Sequence, residues 1–235
     1  MILGTARFIN NIVFGDLPRI VMHNVPIAYK ESVVYLGFTI SRTLSWNNQV
    51  TKTCAKVNAA RYQLKLCGHL FPQPLRARLV AALIFPVFDY YCTVLTDITS
   101  EHNLRLQRAC NAYVRYVFRV KRDEHITPFF DRLDWLKIKA KRKYFVGCLI
   151  FNILLSERAI DLFSVFKTRG NVSACNTRAP QDYLALPLCR TVLFKKSFRC
   201  VAAELWNGIP LEIRSATNQK DFKTKFFNHL RRSIT

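Results

Sequence analysis

The spacing of apolar residues changes once along the chain, near residue 45. Before that point, brief β-prone runs alternate with polar residues at Ile2-Leu3, Ile12–Phe14, Ile20–Met22, Val25–Ile27, Val33–Leu36 and Phe38–Ile40. Asn24 and Gly37 fall between such runs, where they mark the turns of short hairpins. Residues 1–44 are therefore predicted to form a small β-hairpin region, which is poorly stable without further packing partners.

After residue 45 the apolar positions recur three, four or seven residues apart, which is typical of amphipathic helices. Helices are predicted from about Trp46 to Cys67, Pro74 to before Pro86, Ser100 to Val117, Pro128 to Leu133, Lys137 to Leu155, Ser197 to Trp206 and Gln219 to Leu230. Ser45 and Ser100 are the predicted caps of the first and third helices. A loop is predicted over residues 167–190.

These patterns predict an α+β, mainly helical fold. Its predicted parts are an N-terminal hairpin region at 1–44, a helical domain at 45–122 and a helical tail at 123–235. The apolar stretch Leu79–Leu95 is interrupted by Pro86 and Asp89, and it is shorter than the about 20 residues that a membrane span needs. It is therefore predicted to be a buried helix and the segment after it.

The charge of the chain points to a polyanionic partner. Lys and Arg number 36 against 15 Asp and Glu, for a net charge of +21. Such an excess repels itself in a compact fold unless an anion neutralises it. Nucleic acid is the first candidate, an anionic membrane surface is the second, and a merely solvated basic surface is the plain alternative.

Three groups of basic residues lie off the apolar stripes of the predicted helices. The candidate nucleic-acid-binding residues are Lys52, Lys56, Arg61 and Lys65; Lys137, Lys139, Lys141, Arg142 and Lys143; and Lys195, Lys196 and Arg199. Contacts to phosphate carry no base-sequence information. We therefore expect binding that depends on charge and shape and weakens steeply with salt.

The acidic residues form no recognisable catalytic constellation. Metal-dependent phosphoryl chemistry uses carboxylates that hold two metal ions about 4 Å apart, yet no two aspartates are adjacent among the 15 acids. Asp89 follows an apolar helix and is predicted to be a capping or buried polar residue. Asp131 and Asp134 share a helical face and, with His125, are predicted to lie on the solvated side of a short helix.

The eight cysteines do not indicate a metal or disulfide framework. They form no C-x-x-C pair, and most fall at apolar positions of the predicted helices, where a free cysteine behaves as a small hydrophobic residue. This pattern suits a reducing compartment. The sequence also lacks a phosphate-binding loop, a G-x-S-x-G motif and an H-E-x-x-H motif.

Several short motifs follow one another in a characteristic order. They are Tyr35-Leu36-Gly37-Phe38-Thr39-Ile40, Leu44-Ser45-Trp46, Leu106-Gln107-Arg108, Thr177-Arg178, Ser197-Phe198, Trp206-Asn207 with Ile209-Pro210, Ile213-Arg214 and Phe222-Lys223. In this order they resemble the C-terminal part of a non-LTR (LINE-type, jockey-like) retrotransposon reverse transcriptase. The resemblance covers nearly the whole chain.

The resemblance implies a role for each region. In that family the first motif forms the primer grip, here Tyr35, Leu36, Gly37 and Phe38, and the helices after it form the thumb. The family's palm motif, an aromatic residue followed by x-Asp-Asp, is absent, and Ser41 stands where the family often has Asp. The implied product is a fragment that holds template and primer but does not extend the primer by itself.

The implied partners and cofactors follow from the same resemblance. They are RNA, an RNA–DNA hybrid or DNA, and the fingers and palm of the polymerase. No cofactor is expected in this chain, since two divalent metals such as Mg²⁺ belong to the missing palm. We expect an intracellular protein of the cytoplasm and nucleus and no membrane partner.

The sequence leaves other interpretations open. The chain could be a stand-alone basic helical nucleic-acid-binding protein, a peripheral membrane protein or a non-functional transposon relic. Tyr35 and Phe38 are equally expected as core residues of a sheet, and Phe198 and Trp206 are predicted core anchors rather than base-stacking platforms.

Overall fold

The computed structural model describes residues 1–156, 164–172 and 182–232. Within these ranges two small antiparallel hairpins near the N-terminus precede a helical body. The predicted α+β, mainly helical fold is thereby confirmed.

Each hairpin joins its strands through two residues of positive φ. The strands are β1 (Ile20–Met22) paired with β2 (Val25–Ile27), and β3 (Ser32–Tyr35) paired with β4 (Phe38–Ser41). The turn residues are His23 and Asn24 in the first hairpin and Leu36 and Gly37 in the second, with φ of 80° at Gly37. Two-residue turns with positive φ match the right-handed twist of the flanking strands.

Two of the predicted strand segments are wrong. Ile2-Leu3 forms no strand, and the chain after it forms helix α1 (Ala6–Asn10), which the side chain of Thr5 caps. Residues Ile12–Phe14 lead into a 3₁₀ turn at Phe14–Asp16. A local cap and turn satisfy backbone groups that would otherwise need a neighbouring strand.

The helical body follows β4. Its helices are α2 (Asn47–Leu66), α3 (Gln73–Leu79), α4 (Phe85–Asp89), α5 (Ser100–Phe118), α6 (Thr127–Arg132), α7 (Ile138–Ser156), α8 (Arg169–Val172), α9 (Val192–Lys195), α10 (Phe198–Asn207), α11 (Leu211–Arg214) and α12 (Gln219–Arg232). The predicted longer helices are present, with ends shifted by one or two residues. The cap of α5 is Thr99 rather than Ser100, because its hydroxyl oxygen accepts from the His102 amide at 3.2 Å.

The second predicted helix does not end before Pro86. Instead, a π-helical turn at Val80–Ile84 joins α3 to α4, and Pro86 lies in the first turn of α4. The Phe85 amide donates to the carbonyl of Val80, five residues back. Such a bulge lets a helix continue past a proline that cannot donate its own backbone hydrogen bond.

The first hydrophobic core lies between α2, α3, α4 and α5. Its fully buried residues include Val57, Val80, Tyr113 and Phe130. Most charged residues of these helices are exposed or half-buried, whereas Arg76 of α3 is buried. The segment through α6 also packs onto this core, which extends to Ile138 at the start of α7.

The second core lies between α7, α10 and α12. Phe222, Phe226 and Leu230 are buried four residues apart on α12, as predicted. Trp206 is 6% exposed and stacks on Phe222 with ring centroids 6.0 Å apart. The half-buried Phe198 packs edge-on against Phe166, so Phe198 and Trp206 are confirmed as core residues.

The predicted loop at 167–190 contains some regular structure in its described parts. The chain forms α8 there, and Thr168 pairs with Leu184 in an isolated bridge. The side chain of Asn207 holds this bridge, accepting from the Leu184 amide at 2.8 Å and donating to its carbonyl at 3.0 Å. Thr177-Arg178 and Cys175 lie outside the described residues.

Candidate nucleic-acid interface

Helices α2 and α5 pack side by side and run in the same direction. Near their first turns, Arg105 donates to the Asn47 side chain at 3.1 Å. Near their last turns, the Tyr116 hydroxyl donates to the Leu64 carbonyl at 3.0 Å. The C-terminal ends of both helices therefore meet at the same end of the first core.

A cleft of about 940 Å³ opens where these two helix ends meet the start of α3. We call it the basic cleft. Its lining residues are Arg61, Lys65, Gly68, His69, Arg76, Arg108, Asn111, Ala112, Arg115, Tyr116, Arg119, Val120 and Arg122.

The charged residues that line the basic cleft are all positive. Seven of its residues are Arg or Lys, and none is Asp or Glu. The partial negative charge of two helix C-termini favours some cations here. That effect is worth roughly 0.3–1 kcal/mol per charge and is confined to the last turn, so it does not account for charges as early in α5 as Arg108.

Two of the seven cations donate hydrogen bonds to backbone carbonyls of the protein itself. Arg115 donates to the carbonyls of Lys121, Arg122 and Glu124 at 3.0–3.2 Å and so holds the loop after α5. Arg119, with φ of 58°, donates to the Gly68 carbonyl at 2.9 Å. These bonds fix the wall of the basic cleft.

Four other cations have side chains free of hydrogen bonds and ion pairs to the described residues. They are Arg61, Lys65, Arg108 and Arg122. Arg61 and Lys65 stand four residues apart on α2, so they share one helical face. Arg108 extends the same charged surface across to α5.

Arg76 differs from the rest because it is buried. It is 6% exposed, and its Nε atom has no hydrogen-bond partner. Its charge lies over the Tyr116 ring, with 5.9 Å between Cζ and the ring centroid. Burial, followed by the nearby charge of Arg119, lowers the pKa of Arg76.

The cations of the basic cleft are suited to binding an anion. Guanidinium and ammonium groups donate hydrogen bonds and cannot accept them, and no carboxylate lines the cleft to compete for these donors. Arginine forks match the oxygens of a phosphate group. A phosphate-bearing polyanion is the ligand that this lining fits.

The predicted basic residues of α2 divide into two pairs. Arg61 and Lys65 line the basic cleft. Lys52 and Lys56 are exposed on earlier turns, and Lys52 donates to the Thr39 side chain at 2.8 Å. Lys52 thus joins α2 to β4 and does not line the cleft.

The predicted group at the start of α7 lies outside the basic cleft. Lys139 and Lys143 are exposed, and Lys137 donates to Thr127 at 3.1 Å. The two remaining members turn inward. Lys141 pairs with Asp89 at 2.9 Å, and Arg142 donates to Asn103 at 3.2 Å, while burial lowers the pKa of Arg142.

The third predicted group is exposed between α9 and α10. Lys195 and Arg199 have exposed side chains, and Lys196 pairs with Asp97 at 2.8 Å. These residues do not line the basic cleft.

The hairpin that the resemblance assigns to a primer grip is exposed at its turn and packs on the body through its second strand. Tyr35 is 59% exposed and Leu36 is 70% exposed at the tip. Phe38 is half-buried and packs against Trp46 beside α2. Gly37 lies against Tyr90, whose hydroxyl donates to the Leu36 carbonyl at 3.0 Å and braces the turn.

Asp89 is a half-buried acid with a structural partner. Its carboxylate pairs with Lys141, whose Nζ also lies 3.6 Å from the centre of the Phe85 ring. Burial raises the pKa of Asp89, although Lys141 opposes that rise. Asp131 and Asp134 are exposed, and Asp134 pairs with Arg231.

Among the described residues no cluster of His, Cys, Asp and Glu could hold a metal ion. Within the same ranges, every helix is too short or too polar to cross a bilayer.

Only part of the basic cleft was predicted from the sequence. Arg61 and Lys65 were predicted to bind nucleic acid, whereas the other cations of the cleft were not: Arg76, Arg108, Arg115, Arg119 and Arg122. The spacing of Arg108, Arg115 and Arg119 at intervals of seven and four was a usable signal, because it places the three on one helical face. Arg76 gave no such signal, since its role depends on burial.

No family model, curated protein or solved structure matches the chain. The similarity to a reverse transcriptase therefore stays a prediction that rests on the order of its motifs.

Proposed function

We propose that this chain binds the phosphate backbone of nucleic acid in the basic cleft. One observation carries the proposal: seven cationic side chains and no acidic one line a single cleft. Four of the seven have no ion pair or hydrogen bond to the described residues that would compete with a ligand. Neutralising them with phosphates would release the counterions of the nucleic acid and favour binding.

We further propose that the binding serves a thumb-like part of a reverse transcriptase. The ordered motifs support this origin, and the missing adjacent aspartates make the chain a holder of template and primer rather than a catalyst. The basic cleft is formed by the described residues of α2, α3 and α5 together with the segments after α2 and α5. Binding by this chain alone is therefore testable, whether it acts within a polymerase or as a stand-alone protein.

The binding test compares two double variants that each remove two positive charges. Arg61→Gln/Arg108→Gln changes the basic cleft, and Arg7→Gln/Arg19→Gln removes two exposed arginines outside it. Affinity for a 20-mer RNA and for an RNA–DNA hybrid is measured by fluorescence anisotropy. We expect the cleft variant to bind about tenfold more weakly or worse, from the loss of two charge-assisted contacts, and the control to bind like the wild type.

Salt dependence separates a local site from general attraction. The slope of log K against log salt is about −0.7 per phosphate neutralised on a single strand, so the cleft variant is expected to lose about 1.4 from its slope. Equal weakening of both double variants would contradict a defined cleft. Binding to anionic vesicles that competing RNA does not displace would favour a membrane surface instead.

A further inference from the structure

The buried guanidinium of Arg76 lacks an anionic partner among the described residues. It is more than nine-tenths buried, it lines the basic cleft, and its Nε has no hydrogen-bond partner. Removing a guanidinium from water is costly unless another group replaces the water. An anion that enters the basic cleft would supply that group.

Arg119 strengthens the requirement for an anion at this point. Arg119 lines the same cleft as Arg76, and its bond to the Gly68 carbonyl at 2.9 Å anchors its guanidinium group there. After burial, the charge of Arg119 is the next cause that lowers the pKa of Arg76. A ligand with two negative charges neutralises such a pair best. A phosphate monoester carries about −1.5 to −2 at pH 7, whereas a backbone phosphodiester carries one negative charge.

The burial of Arg76 also restricts the shape of the ligand. An internal phosphate has the strand on both sides of it, and both sides need room. A terminal phosphate has the strand on one side only, so it can reach a side chain that is 6% exposed. The rest of the strand can then follow the free cations nearer the opening.

We propose that the basic cleft seats the terminal phosphate of a nucleic-acid strand at Arg76 and Arg119, with the adjoining backbone on Arg61, Lys65 and Arg108. This rests on the proposed nucleic-acid binding of the basic cleft. It adds that the cleft recognises strand ends.

The direct test uses one 12-mer RNA of fixed sequence with either a 5′-phosphate or a 5′-hydroxyl. Affinity for the full chain is measured by anisotropy with the dye on the 3′ end. We expect the phosphorylated strand to bind about tenfold more tightly at pH 7.5, from charge-assisted hydrogen bonds to the added phosphate. Equal affinity would overturn the inference and leave the proposed function standing, whereas binding of neither strand would overturn both.

A matched pair of variants assigns the preference to Arg76. Arg76→Met keeps an unbranched apolar stem and removes the guanidinium charge, and Arg78→Met does the same at an exposed position on the same helix outside the basic cleft. We expect the preference for the phosphorylated strand to disappear in the first variant and to persist in the second. Persistence in a folded Arg76→Met, with folding checked by circular dichroism, would overturn the inference.

The requirement for a dianion can be tested on the wild type by measuring both affinities over a range of pH. The second proton of a phosphate monoester binds near pH 6, so the ratio of the two affinities is expected to fall between pH 7.5 and pH 5. His69 also lines the basic cleft, but it acts on both strands alike and so largely cancels in the ratio. A ratio that does not change with pH would overturn the requirement for a dianion.

Competition identifies the source of the phosphate. Inorganic phosphate is expected to displace the phosphorylated strand only at concentrations far above the dissociation constant of the strand, because it makes no backbone contacts. Displacement at concentrations equal to that constant would overturn the assignment to a strand end.

Discussion

At the scale of single residues, tertiary packing outweighs helix propensity at Gly147. Gly147 lies in the middle of α7, where glycine lowers helix stability by about 1 kcal/mol relative to alanine. A Cβ built there would lie 2.4 Å from a ring carbon of Phe226. That ring is 1% exposed and packs against Phe222 and Tyr144, so it has little room to move.

We therefore expect Gly147→Ala to destabilise the protein despite its better helix propensity. Overpacking a rigid core costs about 1–3 kcal/mol, which exceeds the gain in propensity. Urea unfolding measures the difference, and Gly147→Ala/Phe226→Leu should recover most of the loss. Gly15→Ala is the control, since its Cβ would meet nothing within 4 Å; a Gly147→Ala protein as stable as this control would contradict the packing argument.

At the scale of elements, a half-buried ion pair joins α4 to α7. The side chains of Asp89 and Lys141 are 22% and 16% exposed. Burial raises the pKa of Asp89, so the folded state favours the protonated acid. The contribution of this group to stability is largest at low pH and is lost as the pH rises through its folded pKa.

Removing Lys141 is expected to leave a half-buried carboxylate without a counter-charge. Lys141→Met should lower the free energy of unfolding by about 2–3 kcal/mol at pH 7. The deficit should shrink as the pH falls, because protonation of Asp89 removes the unpaired charge and burial already raises the pKa of this acid. Asp89→Asn/Lys141→Met should be nearly as stable as the wild type in urea unfolding; a pH-independent deficit would show that the lost packing of Lys141 on Phe85, and not charge, is responsible.

Helical periodicity predicted the elements well but not how they face one another. The apolar stripe of α2 and the phenylalanines of α12 predicted those two helices, because a helix that buries one face has apolar residues at helical spacing. The predicted end of the second helix before Pro86 is wrong. The helix continues through a π-helical turn, which depends on the surrounding packing and not on local sequence alone. Lys141 was predicted to contact nucleic acid, yet its ammonium group pairs with Asp89, which is 52 residues earlier in the sequence.

Only part of the basic cleft could be predicted from the sequence, because helical spacing does not show which helices pack together. Arg61 and Lys65 stand out on α2, but the cleft exists only because α5 runs parallel to α2 and brings its own arginines to the same end. The partner helix of an element is a tertiary property. No spacing within α2 identifies it.

At the scale of the whole molecule, two hydrophobic cores share helix α7. Ile138 belongs to the first core, and Phe151 belongs to the second. The segment through α6 packs on the first core, so the change from one core to the other falls near Leu136 and Ile138. The division at 122 and 123 stays a prediction.

The net charge of +21 implies that self-repulsion limits stability. Raising the salt concentration to about 1 M shortens the Debye length to about 3 Å, which screens the cations of the basic cleft from one another. We expect the Tm to rise with sodium chloride in scanning fluorimetry. Arg61→Gln/Arg108→Gln should have a higher Tm than the wild type at low salt, and its Tm should rise less with added salt. If Arg7→Gln/Arg19→Gln shows the same higher Tm and the same smaller rise, overall charge and not the basic cleft is responsible.

The parallel arrangement of α2 and α5 has a consequence for the newly made chain. The bonds that join the two helices beside the basic cleft link residues 51–56 positions apart in sequence. At about 5–20 residues per second of synthesis, Arg61 and Lys65 leave the ribosome about 3–10 seconds before the arginines of α5. During that interval α2 displays its cations without the cleft, so selective capture of a ligand begins only after α5 has emerged and docked.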